Sequence, residues 1–213
     1  MPAPEGRKIL IILMILTLFF GVAGYGNDNN QLILLYYIFG LIFVFCINFF
    51  RDPQRIPPDG KNNLVSPADG KIVLIKDIED KDVGKAIQIS IFLSVFNVHS
   101  NKIPINGQVI SAGYKEGDFK AAFDHRASNV NEQAYIVLSH GENKIKIKQI
   151  AGLIARRIIC YAKVGDSYKT GDRFGFIMFG SRTDLIVPSN SDIHAKVGEK
   201  VKGGKTIIGQ LIS

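Results

Sequence analysis

Two apolar stretches near the N-terminus limit what this chain can fold into more than any other feature. Residues 9–24 and 32–50 are almost uninterruptedly apolar, and each approaches the roughly 20 residues that cross a bilayer as a helix. The link between them, Gly26-Asn27-Asp28-Asn29-Asn30-Gln31, is short, polar and free of Lys and Arg. Arg7 and Lys8 precede the first stretch, while Arg51 and Arg55 follow the second. Cytoplasmic flanks carry the excess of positive charge. The pattern therefore predicts a transmembrane helical hairpin in the cell (inner) membrane, with the rest of the chain on the cytoplasmic side. A competing reading makes the first stretch a signal peptide cleaved around Val22-Ala23-Gly24, which leaves the second stretch unexplained.

Residues 51–63 read RDPQRIPPDGKNN. Three prolines and an Asp-Gly pair end the second helix and start a turn-rich linker. The expected organisation is an anchor over 1–50, a Pro-rich linker over 51–63 and a single domain over 64–213. That domain is a series of short β-like runs: KIVLI, AIQISIFL, NGQVISAGY, QAYIVLS, KIKIKQIAG, ARRIICYAK, RFGFIMF, TDLIVP and KTIIGQLI. Lys144-Ile145-Lys146-Ile147-Lys148 alternates strictly, the mark of a strand with one wet face. Residues 119–129 are the one candidate helix in the series. The expected fold class is mostly β, a compact sandwich or barrel behind the helical hairpin.

The domain also repeats itself. Val164-Gly165-Asp166 through Gly171 is echoed by Val197-Gly198-Glu199 through Gly204, each followed by an apolar strand. The pattern resembles the hammerhead turns of biotinyl and lipoyl domains, but no lysine-bearing hairpin of theirs stands out. The echo speaks for fold and hardly for function.

A formal charge of +7 points toward nucleic acid, an anionic membrane or an anionic substrate. The basic residues are interleaved with acids and no nucleic-acid module is recognisable, so an anionic lipid surface is the economical reading. Cys46 lies in an apolar run and Cys160 in a strand-like one, so no disulfide is expected between them. No His/Cys cluster has metal-ligand spacing, and no metal site is expected.

Among nucleophiles, Ser181 follows Gly180 at the end of an apolar strand, where the glycine leaves its carbonyl open to the serine hydroxyl. A Gly-Ser pair is, by itself, most often a turn. Of the four histidines, His140 looks like a hairpin tip, and His125 and His194 lie in polar segments. His99 stands between a long apolar run and the Pro104-Ile105-Asn106-Gly107 turn. Asp69, in Ser66-Pro67-Ala68-Asp69-Gly70, is first of all a turn residue.

Taken in order, the blocks FFRDPQRIPP, SPADGKI, FLSVFNVHSNKIPINGQV, QIAGLIARRI and GDRFGFIMFGSRTDLIVP resemble the phosphatidylserine decarboxylase family in its short, membrane-anchored form. The resemblance spans roughly residues 49–188, and archaetidylserine decarboxylases would look alike here. It implies an enzyme that cuts its own backbone between Gly180 and Ser181 and converts Ser181 into a covalent pyruvoyl (pyruvate) cofactor. The Ser181 hydroxyl attacks the Gly180 carbonyl to give an ester. Elimination then leaves dehydroalanine, whose hydrolysis yields pyruvoyl and ammonia. The pyruvoyl group forms a Schiff base with the serine headgroup of a phospholipid, and loss of carbon dioxide gives the ethanolamine lipid.

By the same resemblance, His99 is the proton-transfer residue and Asp69 the carboxylate that orients it, as in a Ser-His-Asp relay. The two pieces form an α/β heterodimer that can assemble further. Where longer members carry a second histidine this chain has Lys102, and where they carry an aspartate before the first histidine it has Asn97. Either His99 serves both self-cleavage and decarboxylation, or Lys102 or another residue takes one step. Arg156 and Arg157 are candidates for the lipid phosphate or carboxylate, against ordinary packing on a sheet surface. A membrane-anchored Ser/Lys hydrolase is the remote alternative, and it requires an intact chain with Ser181 unmodified.

Overall fold

The computed structural model describes residues 2–118, 130–152, 157–178 and 181–212. The candidate helix at 119–129, Arg156 and Gly180 lie outside them. The chain divides into two units, Met1–Pro53 and Gln54–Ser213.

The first unit is a helical hairpin. A 3-10 turn at Pro4–Gly6 leads into α1 (Arg7–Gly26), and α2 spans Asn30–Phe49. Twenty residues at 1.5 Å each give about 30 Å, the thickness of a hydrocarbon core. Both helices are long and apolar enough to cross a membrane. The reversal is built from asparagines. Asn29 caps α2 by accepting from the Gln31 and Leu32 amides, and Asn27 donates to the Ala23 carbonyl at 2.8 Å. Asp28 takes the left-handed conformation (φ 48°). Gly24 lets the helices meet at the turn, since a Cβ there would sit 2.9 Å from the Ile33 amide nitrogen.

The second unit is mostly β, as expected. Among the described residues its strands are β1 (Asn63–Val65), β2 (Gly70–Asp80), β3 (Gly84–Leu93), β4 (Ser100–Lys102), β5 (Gly107–Lys115), β6 (Gln133–His140) and β7 (Asn143–Ile150). They continue with β8 (Arg157–Cys160), β9 (Ser167–Tyr168), β10 (Arg173–Met178), β11 (Ser181–Pro188), β12 (Asp192–Ile193), β13 (Lys200–Val201) and β14 (Ile207–Gln210). Each of the nine apolar runs carries one of them.

An eight-stranded sheet runs β13-β2-β3-β11-β7-β6-β5-β9, and two three-stranded sheets run β1-β14-β12 and β4-β10-β8. Alternating residues of the large sheet (Ile89, Ile91 and Leu93 of β3, Ile145 and Ile147 of β7, Leu185 and Val187 of β11) enter one core with Ile103, Ile105 and Phe174. The internal echo is real in backbone terms. Gly165 and Gly198 both take positive φ, as do Gly171 and Gly204. Gly165 N donates to the Val109 carbonyl and Val109 N to that of Asp166; Gly198, Ile72 and Glu199 repeat the same exchange.

The reverse face of the large sheet departs from expectation. Lys146 is buried rather than wet. Its ammonium meets Asp80 at 3.0 Å and Asp82 at 2.7 Å and lies over the Tyr135 ring. Burial opposes the charge on Lys146, but Asp82 and Asp80 more than offset it and raise its pKa. Burial likewise works against the Asp80 anion, but the Asp82 amide and Lys146 outweigh it and hold the carboxyl below its ordinary range. Lys148 is pushed down, first by burial and then by the charge of Lys146.

On the same face Arg182 and Asp184 form a fully buried ion pair at 2.7 Å. Arg182 also donates to Ser90 at 2.5 Å, and Gln88 to Asp184 at 3.0 Å. Removing one partner of such a pair strands a charge away from water, at about 3–5 kcal/mol. Asp184→Asn should therefore lower the unfolding free energy of the full chain in detergent, taken as denaturant midpoint times slope, by an amount in that range. An unchanged midpoint would show that the pair contributes nothing to stability.

Candidate active site

Ser181 is the first residue of β11, opposite Leu93 of β3 in the ladder. The sequence reading put it at the end of the preceding strand. The structure instead sets it in the interior of the large sheet, fully buried. Its Oγ has no hydrogen-bond partner among the described residues. A buried hydroxyl left in this state costs about 1–3 kcal/mol and calls for a reason.

His99 approaches the same sheet end by two routes. Immediately after Leu93 the chain turns, and Asn97 Oδ1 accepts from both the Ser94 amide (2.9 Å) and the Ser94 hydroxyl (2.8 Å). Two residues on, the His99 carbonyl accepts from Ile177 N at 3.1 Å, which ties it to β10 four residues before Ser181. The imidazole is buried, beside the Phe176 ring at 6.4 Å between centroids. Its Nδ1 lies 2.9 Å from the Asn97 carbonyl oxygen. A carbonyl only accepts, so Nδ1 carries the hydrogen, and in the neutral ring Nε2 holds the lone pair of a base. The tautomer is thus set by a backbone group. Asn97, read from the sequence only as a replaced aspartate, shapes the turn with its side chain and orients the imidazole with its carbonyl.

Asp69 has other partners. Its Oδ1 accepts from Arg55 Nη1 and from the Gly203 amide (2.8 Å), and its Oδ2 from Arg55 Nη2 at 2.8 Å. Arg55 also donates to the Gly203 carbonyl at 2.8 Å. This fork-on-fork pair fastens the Pro-rich stretch to the SPADG turn and the Gly203 turn. Orientation of His99, expected from Asp69, falls in this structure to the Asn97 carbonyl. Lys102 closes β4. Its amide donates to the Pro67 carbonyl at 2.8 Å, and its stem runs past Gly204, where an added Cβ would meet Lys102 Cγ at 3.5 Å. It thus belongs to the Asp69 neighbourhood. Arg157 opens β8 opposite Met178 and is exposed.

Three polar residues missed in the sequence lie one layer deeper. Gln149 of β7 donates to Asn101 Oδ1 at 2.9 Å and to the Ile159 carbonyl at 3.3 Å. Asn101 of β4 donates to Thr183 Oγ1 of β11 at 2.9 Å. The signal was present: a Gln follows two core isoleucines in a strict alternation, where an apolar residue is expected. Ser181, paired with Leu93, and His99, six residues past Leu93, are thus a buried serine and an imidazole oriented by a backbone carbonyl, residue types that can serve acyl transfer.

The family model for phosphatidylserine decarboxylase matches residues 42–209. The chain is 45% identical over 182 residues to a phosphatidylserine decarboxylase proenzyme of Desulfotalea psychrophila, covering 84% of this chain and 85% of the relative. It is 43% identical over 178 residues to that of Chlorobium limicola (83% of each). It is 45% identical over 176 residues to that of a Geobacter species (82% of this chain, 80% of the relative).

Proposed function

The chain belongs to the phosphatidylserine decarboxylase family and is a decarboxylase, and we propose that it works through a pyruvoyl group made from its own Ser181. The observation that carries this reading is the enclosed Ser181 hydroxyl, whose Oγ has no partner among the described residues. Ser191 Oγ is also without one; Ser181 differs in following directly on Gly180, whose carbonyl it would attack, and in heading a strand held between β3 and β7.

In the uncut chain His99 Nε2 takes the Ser181 hydroxyl proton as the oxygen adds to the Gly180 carbonyl. The C–N bond between residues 180 and 181 breaks, and the departing nitrogen, which carries one hydrogen as an amide, takes its second from the protonated His99. Elimination at Ser181 releases Gly180 as a carboxylate, and water then removes the nitrogen as ammonia. The residues fit the group that results: a small carbonyl at the head of β11 replaces a small hydroxyl, in a place already closed to solvent. Once formed, that carbonyl supplies an electron sink for the substrate carbon that loses carbon dioxide. His99 then returns a proton to that carbon.

Asp69 supports the site through Arg55, holding the turns that lead into β2 and past Gly203. Arg156, Arg157 and Lys102 remain candidates for the anionic groups of the lipid. The substrate is a phosphatidylserine, by the names of the relatives, rather than its archaeal ether counterpart. The two helices hold the enzyme in the inner membrane, with the 64–213 domain on the cytoplasmic side. The α and β pieces stay together as a heterodimer.

Intact mass of the purified full chain tests this. Two pieces are expected, the smaller beginning at position 181 with a pyruvoyl terminus that reacts with a carbonyl reagent. A single chain of 213 residues with a free serine would refute the pyruvoyl reading and favour a Ser/Lys hydrolase.

A further inference from the structure

Proton transfer at Ser181 makes no use of the buried amides between the large sheet and the β4-β10-β8 sheet, yet their arrangement is fully specified. The Ile159 carbonyl accepts from one end of the Gln149 amide, so that end is Nε2. Gln149 Nε2 then requires the oxygen of Asn101 (2.9 Å), which turns Asn101 Nδ2 toward Thr183 Oγ1 (2.9 Å). Gln149 is 1% exposed, and Asn101 and Thr183 are 0% exposed. Gly175 of β10 makes the crossing feasible, because a Cβ there would lie 2.5 Å from both Gln149 Nε2 and the Ile159 carbonyl oxygen.

The placement is what matters. Thr183 is two residues past Ser181, on the same face of β11. Asn101 is two residues past His99, on the strand that His99 introduces. Polar groups in a core of Ile, Leu and Phe cost free energy unless matched; here three hydrogen bonds join the set, while Gln149 Oε1 has no partner among the described residues. Apolar contacts between two sheets are non-directional, whereas hydrogen bonds fix both separation and registry.

We propose that Asn101, Thr183 and Gln149 are positioning residues, a bridge between the sheets that sets His99 against Ser181 in the uncut chain. The inference rests on the self-cleavage proposed above. A misplacement of about 1 Å between reacting groups can lower a rate about a hundredfold, so the bridge acts on rate more than on folding.

The test follows cleavage of the full chain made by cell-free synthesis into detergent micelles, from about pH 5 to 8 (roughly the range in which an imidazole base changes form), with thermal unfolding of each variant alongside. Thr183→Val and Asn101→Ala should each slow cleavage about 10- to 100-fold at a temperature where both are folded. The pH–rate curve should keep its shape, because the base itself is unchanged. Thr183→Ser, which keeps the hydroxyl, should restore the rate. The double variant should cut no more slowly than the slower single one, since the residues act as a unit. Gln149→Glu is isosteric but turns a donor into an acceptor, and it serves if either truncation does not fold. Variants that melt earlier yet cut as fast as the native chain would overturn the bridge. A native chain that never cuts would remove the self-cleavage reading itself, and this inference with it.

Discussion

Ser181→Ala should give one uncut chain without detectable decarboxylase activity. Alanine cannot add to the Gly180 carbonyl, and no carbonyl group can form at position 181. The loss is one of chemistry, not of folding, because a methyl group fits where the hydroxyl lies buried without a hydrogen-bond partner among the described residues. Removing an unsatisfied polar atom costs nothing and relieves about 1–3 kcal/mol of desolvation. The variant should therefore melt at or above the temperature of the uncut native chain. Gel electrophoresis, release of labelled carbon dioxide from phosphatidylserine and a melting curve check the three expectations. Any cleavage at residue 181 in the Ala variant would place the nucleophile elsewhere.

His99→Ala should slow cleavage by about 10²- to 10⁴-fold, the usual contribution of a positioned base. The imidazole is fully enclosed, so its loss leaves a cavity, and added imidazole should recover part of the rate. Chains cut slowly over a long incubation then allow the second step to be measured alone. Decarboxylation lowered to a similar degree would show that His99 serves both steps. Normal turnover by such chains would give the second proton transfer to another group, with Lys102 the first to test by Lys102→Ala. In either case Asp69→Asn should act on stability, through the Arg55 contact, more than on the proton transfers.

Much of this was legible in the residues because the signals are local. Short apolar runs between glycine, asparagine and aspartate turns marked the strands, and polar asparagines between two apolar runs marked the helical reversal. What stayed hidden depends on partners distant in sequence. Lys146 is read as wet because Asp80 and Asp82 lie more than sixty positions away. Asp69 was matched to an imidazole from the sequence; in the structure its carboxylate meets Arg55, a residue read as a positive flank of the second helix and part of the linker. The orienting group of His99 is a main-chain carbonyl, and every residue has one, so no side-chain pattern could announce it. Gln149, Asn101 and Thr183 share the difficulty of all buried polar sets: each looks ordinary until the others are seen beside it.

The seat of Ser181 also determines what a cut would leave behind. β11 is laced on one edge to β3 along its whole length and on the other to β7. Beyond it, β13 is hydrogen-bonded to β2 and β14 to β1. A terminal fragment interwoven in this way has no free side from which to peel. Breaking one peptide bond ahead of β11 therefore divides the molecule covalently without loosening it. Separating the halves would require dismantling the middle of the large sheet, so subunit exchange between cut molecules should be as slow as global unfolding.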